Sequence, residues 1–321
     1  MDDILKRLDS KKKRLQQLSA PKEQLVNLQE WYKVELTYTS NALEGNTLDR
    51  RQTALIVGKN LSVAGKSLTE HLEAVNHAQA VDYIWQFANK TTTQDVDVKL
   101  ILAIHHLVLD KIDSTNAGRL RRIPVRVAGS ATVFPNWRRV SSMLDEMVEE
   151  IGSSKAHICL KASQAHLQLV SIHPFVDGNG RTARLLMNLL LLQDGWPPAV
   201  IRKEDRLTYL RLLENVQTKG ATESFHIFIL RAIERSLDSH LQPDSPAPAE
   251  AKLLKIGELA RLSEEPVSTL RYWTDQGLLP PADMLPSKYR LYAPSAVKRA
   301  KRIRQLQNQR FTLAEIKNKL G

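Results

Sequence analysis

The chain has 321 residues, 42% of them apolar and 25% charged, with a formal net charge of +11 and a single cysteine, Cys159. That length exceeds one ordinary core and suits two or three domains. One cysteine excludes an internal disulfide, and no Cys/His spacing fits a zinc site. No stretch approaches the roughly 18–20 apolar residues that span a bilayer. The opening MDDILKRLDSKKKRLQQ is a charged helix and not a secretory leader, so a cytoplasmic location without a membrane partner is expected.

In chain order, Ile4, Leu8, Leu15 and Leu18 recur at helical spacing, as do Leu25, Leu28, Trp31 and Leu36. SNALEGN (40–46) reads as a helix start capped by Thr39 or Ser40, with Gly45 as a helix-ending glycine. Apolar faces over 98–109 and at Met143, Leu144, Met147, Val148 and Ile151 predict two more helices. Between them IPVRV (123–127) alternates, and Gly129 and Ser130 follow as turn residues. This predicts a small β-hairpin over 123–134 on a helical body. A helical pair over 165–172 and 182–193 comes next. QPDSPAPAE (242–250), with three prolines in nine residues, marks an extended linker.

Beyond the linker, KIGELAR (255–261) and PVSTLRYWTDQG (266–277) predict two short helices. KYRLYAP (288–294) predicts a wing strand, with a basic helix from Ser295 and a last helix over 312–320. This is the winged helix-turn-helix pattern. Residues 251–321 hold 14 Lys/Arg against 6 Asp/Glu, a surplus of +8 that leaves +3 for the first 250. Such a basic module points to a polyanionic partner, nucleic acid first.

Inside the helical pair lies IHPFVDGNGRTARLL. Pro174 breaks the first helix. Gly178 and Gly180 flank Asn179 and permit positive φ, so successive N–H groups can turn inward. The next helix begins near Arg181, and an anion there meets unpaired N–H groups and the positive end of the dipole. Arg181 and Arg184 are three apart on one helix face and can engage a polyphosphate. Asp177 offers the hard oxygen that Mg²⁺ requires. His173 is the one group in the segment able to act as a base near neutral pH. A base, a metal carboxylate, an anion nest and two arginines within twelve residues mark a nucleotide-phosphate site.

His173, Phe175, Asp177, Gly178, Asn179, Gly180, Arg181 and Arg184 together resemble the Fic family signature HxFx(D/E)GNGRxxR at every fixed position. AHLQLVSIHPF, MNLLLLQDGWPP and AGRLR (117–121) extend the likeness over residues 37–237. The resemblance implies a mainly α fold, a Fic helical core with a small β-hairpin flap. It implies ATP and Mg²⁺, with the α-phosphate over Asn179 and the glycine N–H groups, Mg²⁺ on Asp177, and the β/γ end on Arg181 and Arg184. His173 would take the proton of an incoming Ser, Thr or Tyr hydroxyl as it displaces pyrophosphate. The hairpin near 127–135 would align the target segment by strand addition, although GSATVFPNW departs from the commoner form with a His and two prolines. Gly180 stands where some relatives carry a lysine and transfer the terminal phosphate, so nucleotidyl transfer is implied. Tyr209 is placed like the adenine-side aromatic of the family, and equally like a core residue.

Ser40, Glu44 and Gly45 match the inhibitory motif (S/T)xxxE(G/N) of the same family, N-terminal to the core as in one of its classes. The implied role is for Glu44 to pair with Arg184 and so occupy the arginine needed by the γ-phosphate. In some relatives the same glutamate positions water to remove AMP.

KIGELARL, STLRYWTDQGLL, YRLY and FTLAEIKNKL resemble, in order and spacing, the DNA-binding domain of the MerR family over 254–320. The resemblance implies that 267–274 enters the major groove and that Arg271, Tyr272, Lys288 and Arg290 contact the DNA backbone. Glu264 and Glu265 stand where a turn glycine is usual and are expected to face phosphates and weaken binding. Ser268 replaces a frequent arginine, and no long dimerisation helix follows.

The expected organisation is an N-terminal helical region over 1–95 carrying the inhibitory motif, a Fic core over 96–240, a linker over 241–250 and a winged helix-turn-helix over 251–321. The expected activity is AMP transfer from ATP to a protein hydroxyl, restrained by Glu44. The expected partners are that target protein and DNA, with a homodimer kept open. A nucleotide-sensing transcriptional regulator and a net de-adenylylating enzyme are the alternatives.

Overall fold

The computed structural model describes residues 1–17, 22–59, 61–127, 132–241, 254–281, 283–284, 290–292, 295–309, 311, 313 and 315–316. Two compact units divide the chain, Met1–Pro243 and Asp244–Gly321.

Unit 1 is helical. α1 (Asp2–Gln17) carries Asp2 and Asp3 in its first turn, the favourable end of the dipole, and buries Leu8. α2 (Lys22–Leu43) runs straight through the segment expected to start a helix. Ser40 is therefore in its last turn, not at an N-cap. The reason is burial: Tyr32, Leu36 and Leu43 continue one apolar face to the end of the helix. Thr39 instead returns its hydroxyl to the Glu35 carbonyl at 2.8 Å, the bond of a mid-helix threonine. Gly45, at φ 102°, then turns the chain out of the helix.

α3 (Arg50–Lys59) leads to α4 (Leu68–Ala88), which Ser67 and Glu70 start with a capping box. Asp97 caps α5 (Val98–Leu109) through the Leu100 amide. α6 (Val140–Ser153) and α7 (Ile158–Ile172) precede α8 (Asn179–Gln193). α9 (Arg206–Lys219) and α10 (Glu223–Leu241) complete the unit. α8 is buried on every face from Arg181 to Leu191, which is what its apolar run demands. α4, α5 and α7 surround it, while α6 and α10 pack on α7. One hydrophobic cluster joins Leu8, Tyr32 and Val81 with Leu144, Leu186 and Ile233, so the regions before and after residue 95 share a core.

The hairpin expected over 123–134 takes a different form. Residues 119–127 and 132–136 carry no strand, and the turn residues Gly129 and Ser130 lie outside the described residues. Arg121 holds the two stretches in place of a ladder. Its buried guanidinium donates to the Ile123 carbonyl (3.0 Å) and the Pro135 carbonyl (2.7 Å).

In unit 2, β1 (Leu254–Lys255) is followed by α11 (Ile256–Ser263) and α12 (Val267–Asp275), then β2 (Asp283–Met284), β3 (Arg290–Tyr292) and α13 (Ser295–Asn308). The strands form an antiparallel sheet in the order β1-β3-β2, with Leu254 opposite Tyr292 and Met284 opposite Arg290. Leu259, Leu270, Trp273, Tyr292 and Ile303 form its core. Leu313, Glu315 and Ile316 are helical within the expected last helix. Residues 317–320 of that helix, the Pro-rich linker at 242–250 and Lys288 lie outside the described residues. No helix among the described residues is long and apolar enough to cross a membrane.

Candidate active site

α7 ends at Ile172, and His173 follows in the left-handed region at φ 50°, ψ 59°. That is a costly conformation for a non-glycine residue before proline. Arg121 holds it there. Its Nε donates to the His173 carbonyl at 2.7 Å, and its own amide donates to the Pro174 carbonyl at 2.9 Å. The His173 ring stacks on Phe134 with centroids 4.0 Å apart. Its Nδ1 lies 3.2 Å from the Val170 carbonyl, which can only accept, so the proton sits on Nδ1 and Nε2 keeps its lone pair. Burial lowers the His173 pKa from its ordinary value of 6.5.

The loop closes on itself. Asn179 accepts from the Phe175 amide and donates to the Phe175 carbonyl, both at 2.9 Å. Its side chain is thus a staple for the turn and is not aimed at a phosphate. Phe175 is fully buried and stacks on His105 at 3.6 Å. His105 Nε2 donates to the Asp177 carbonyl, and its Nδ1 accepts from the Gly118 amide, both at 3.0 Å. Burial pushes the His105 pKa down to about 4, so this neutral tautomer is fixed. Gly178 needs its lack of a side chain twice over, for φ 76° and because a Cβ would press on the His105 ring. Gly178 is the N-cap of α8, whose first residue, Asn179, lies two before the expected start, and no side chain caps that end. The amides of residues 178–181 therefore have no intrahelical acceptor.

Over this bare helix end stands Glu44. Its carboxylate fills the space that a Cβ on Gly180 would occupy. Glu44 Oε1 accepts from Arg184 Nη2 at 2.6 Å. Ser40 accepts from the same guanidinium twice, at Oγ from Nε (2.9 Å) and at its carbonyl from Nη2 (3.1 Å). The end of α2 therefore encloses Arg184. From the other side Nη1 reaches the Tyr209 hydroxyl at 3.4 Å, which bonds His166 Nε2 at 3.0 Å. Burial lowers the Arg184 pKa, and the charge of Glu44 together with the hydrogen bonds to Glu44 and Tyr209 more than offsets it, so the net direction is upward and the group stays cationic.

The two arginines do not point together at an open site as their spacing suggests. Arg181 is tied to Glu73 at 2.9 Å and to Asp177 at 3.0 Å, and Asn46, just beyond the inhibitory motif, donates to the other Glu73 oxygen at 2.8 Å. Buried cations need such partners. Of its two readings Tyr209 takes the core placement here: it is 2% exposed, packs among His166, Phe225 and Phe228, and turns its hydroxyl to Arg184. His105, Glu73 and His166 carried no signal in the sequence. His105 and Glu73 lie far along the chain from the loop, and His166 sits on α7 just before it within an apolar helix, so only packing shows what each meets.

In unit 2, Arg271 and Tyr272 are exposed on α12. Arg290 is instead paired with Asp275 at 2.6 Å. Glu265 does not face outward: it is buried and chelated by Arg304, whose guanidinium lies over Trp273. Glu264 alone of the two carboxylates is exposed, in the left-handed cap of α11.

The Fic/DOC family model matches residues 95–191, and the MerR HTH family regulatory protein model matches residues 254–321. Protein adenylyltransferase Fic of Drosophila melanogaster is 34% identical over 253 residues, covering 78% of this chain and 50% of that protein. The chain thus spans about half the length of the curated relatives it matches. Fic-1 from C. elegans superposes with a TM-score of 0.67 at 28% identity, over 76% of this chain and 72% of that one. A Fic domain containing signaling protein from Bacteroides thetaiotaomicron gives 0.67 at 28%, over 77% and 98%. With its motif, helical core and these likenesses, the chain carries a Fic/DOC domain and, at its C-terminal end, a MerR-type helix-turn-helix.

Proposed function

We propose that unit 1 is a protein adenylyltransferase that moves AMP from ATP to a Ser, Thr or Tyr hydroxyl, and that the described state is its restrained form. The observation that carries this reading is Glu44, 2.6 Å from Arg184 and seated against Gly180 at the open end of α8. A carboxylate held over unpaired amides and a buried guanidinium stands where a nucleotide phosphate would be drawn.

The residues then divide the work. Amides at the start of α8 receive the α-phosphate, and the buried arginines balance the charge of the β/γ end once their carboxylates yield. His173 Nε2, unprotonated, takes the acceptor proton. Asp177 suits Mg²⁺: its side chain is 68% exposed, Arg181 engages only Oδ2, and Mg²⁺ needs only one or two carboxylates beside phosphate and water. When bound, Mg²⁺ would neutralise the phosphates that leave as pyrophosphate. The basic second unit, with Arg271 and Tyr272 on the exposed side of α12, is proposed to hold DNA.

Intact mass after incubation with ATP and Mg²⁺ tests the reading. Glu44→Gly is expected to gain AMP on itself at least about ten-fold faster than wild type, which corresponds to about 1.4 kcal/mol of lost restraint. Glu44→Gly with His173→Ala is expected to gain none. Equal labelling of wild type and Glu44→Gly overturns the restraint, and added phosphate in place of AMP overturns the reaction type.

A further inference from the structure

The stretch after the flap turn borders a second space that the reaction above does not use. Phe134 turns its ring to His173, while its neighbours Val133 and Pro135 line a cleft of about 350 Å³ against α6 and α7. This is the alternation of extended chain, with successive side chains on opposite sides. Val133 is 79% exposed, and neither Val133 nor Phe134 makes a main-chain hydrogen bond among the described residues. An edge is thus open for an incoming segment to pair with. Such a segment, with its hydroxyl residue toward His173, would send the adjacent residue into the cleft.

The far wall of that cleft is acidic in a chain that is basic overall. α6 carries Asp145, Glu146, Glu149 and Glu150 and no Lys or Arg. None of the four makes an ion pair among the described residues. Glu146 and Glu150 line the cleft and are exposed. Gln168 lies beside them: its Nε2 donates to Glu150 Oε2 at 2.5 Å, and its Oε1 is buried without any donor. The cleft therefore offers two exposed carboxylates, one of them oriented by Gln168, above an apolar floor of Met143 and Ile172. A guanidinium answers this set, with several donors in a fixed fork and an apolar stem for the floor.

We propose that this cleft selects the protein acceptor, taking an arginine side chain next to the hydroxyl that is modified. The proposal rests on the transfer reading for its kinetic readout and on no enzymatic step for its binding readout.

The test uses the full chain with Glu44→Gly and three sets of fluorescein-labelled nine-residue peptides, each with one Ser, Thr or Tyr flanked by Arg, by Gln or by Glu. Anisotropy without nucleotide is expected to show the Arg set binding about five- to ten-fold tighter than the Glu set, with the difference shrinking in salt. Adding Glu146→Lys and Glu150→Lys is expected to reverse the order, and Glu146→Gln with Glu150→Gln to level it. Both pairs are exposed, and a thermal melt confirms the fold is kept. With ATP and Mg²⁺, AMP transfer is expected to follow the same order. An unchanged order in the lysine variant, or equal binding of the Arg and Glu sets to the Glu44→Gly chain, overturns the proposal. Charge-ordered binding without any transfer, on peptide or on the protein itself, leaves the cleft standing and sinks the transferase reading.

Discussion

In the proposed reaction His173 accepts a proton, so its imidazole must be neutral. Burial lowers its pKa below 6.5, and the Val170 carbonyl fixes the proton on Nδ1. The sign follows directly: the base is competent above its lowered pKa and is lost as pH falls through it. The acid limb of the pH–rate profile of the Glu44→Gly enzyme is expected to have its midpoint below 6.5, and a midpoint at or above that value contradicts it. His105 is a positioning residue of the same loop, since it touches backbone only. His105→Phe keeps the stack on Phe175 but strands the Asp177 carbonyl and the Gly118 amide. A buried group left unpaired costs about 1–3 kcal/mol. Urea unfolding should show a loss of that order, and an unchanged midpoint would mean that His105 does not anchor the loop.

At the scale of elements, the end of α2 and the flap stretches reach the loop from opposite sides, and each is held by an arginine. Arg184 is enclosed by Ser40 and Glu44. Arg121 ties the His173, Ile123 and Pro135 carbonyls with one planar group. Lysine cannot reproduce that fork. Arg121→Ala is expected to speed proteolytic cleavage within 122–136 by about ten-fold or more, a loss of about 1.4 kcal/mol in local stability. Arg121→Lys should fall between the two. Cleavage of Arg121→Ala at the wild-type rate would show that the stretches hold without it. The inhibitory segment also shows how an element can change the meaning of a motif. SNALEGN read alone is a helix start, but the buried face running from Tyr32 to Leu43 makes it a helix end. That places Glu44 beyond the last turn, free to reach α8.

For the whole molecule the charge divides along the chain, with a surplus of +8 in residues 251–321 and +3 before them. Glu265 no longer counts against DNA binding, because Arg304 holds it inside. Binding of the full chain to duplex DNA is expected to weaken linearly with the logarithm of salt, and Arg271→Ala to reduce the slope by about one ion on all sequences alike. Binding that ignores salt, or no binding at about 50 mM salt, would turn unit 2 from a nucleic-acid module into something else.

The sequence by itself determined what depends on local chemistry. The glycines that leave α8 without a cap, the proline that ends α7, the apolar run that must be buried and the basic surplus of the last 71 residues are all properties of neighbouring residues. The pairing of Glu44 with Arg184 is of another kind: the two lie 140 residues apart, and only the resemblance of both motifs to one family made it an expectation. Only the tertiary structure decided which groups each side chain meets. It tied Arg181 to Glu73 and Asp177, turned Tyr209 into the core and set His105 beneath the loop. It also replaced a hairpin ladder by the Arg121 clamp. The physical reason is common to all of these. A buried charge or ring is satisfied by whatever packing brings within about 3 Å, and partners such as Glu73 for Arg181 and Tyr209 for Arg184 lie 108 and 25 residues away along the chain, beyond the reach of any spacing rule.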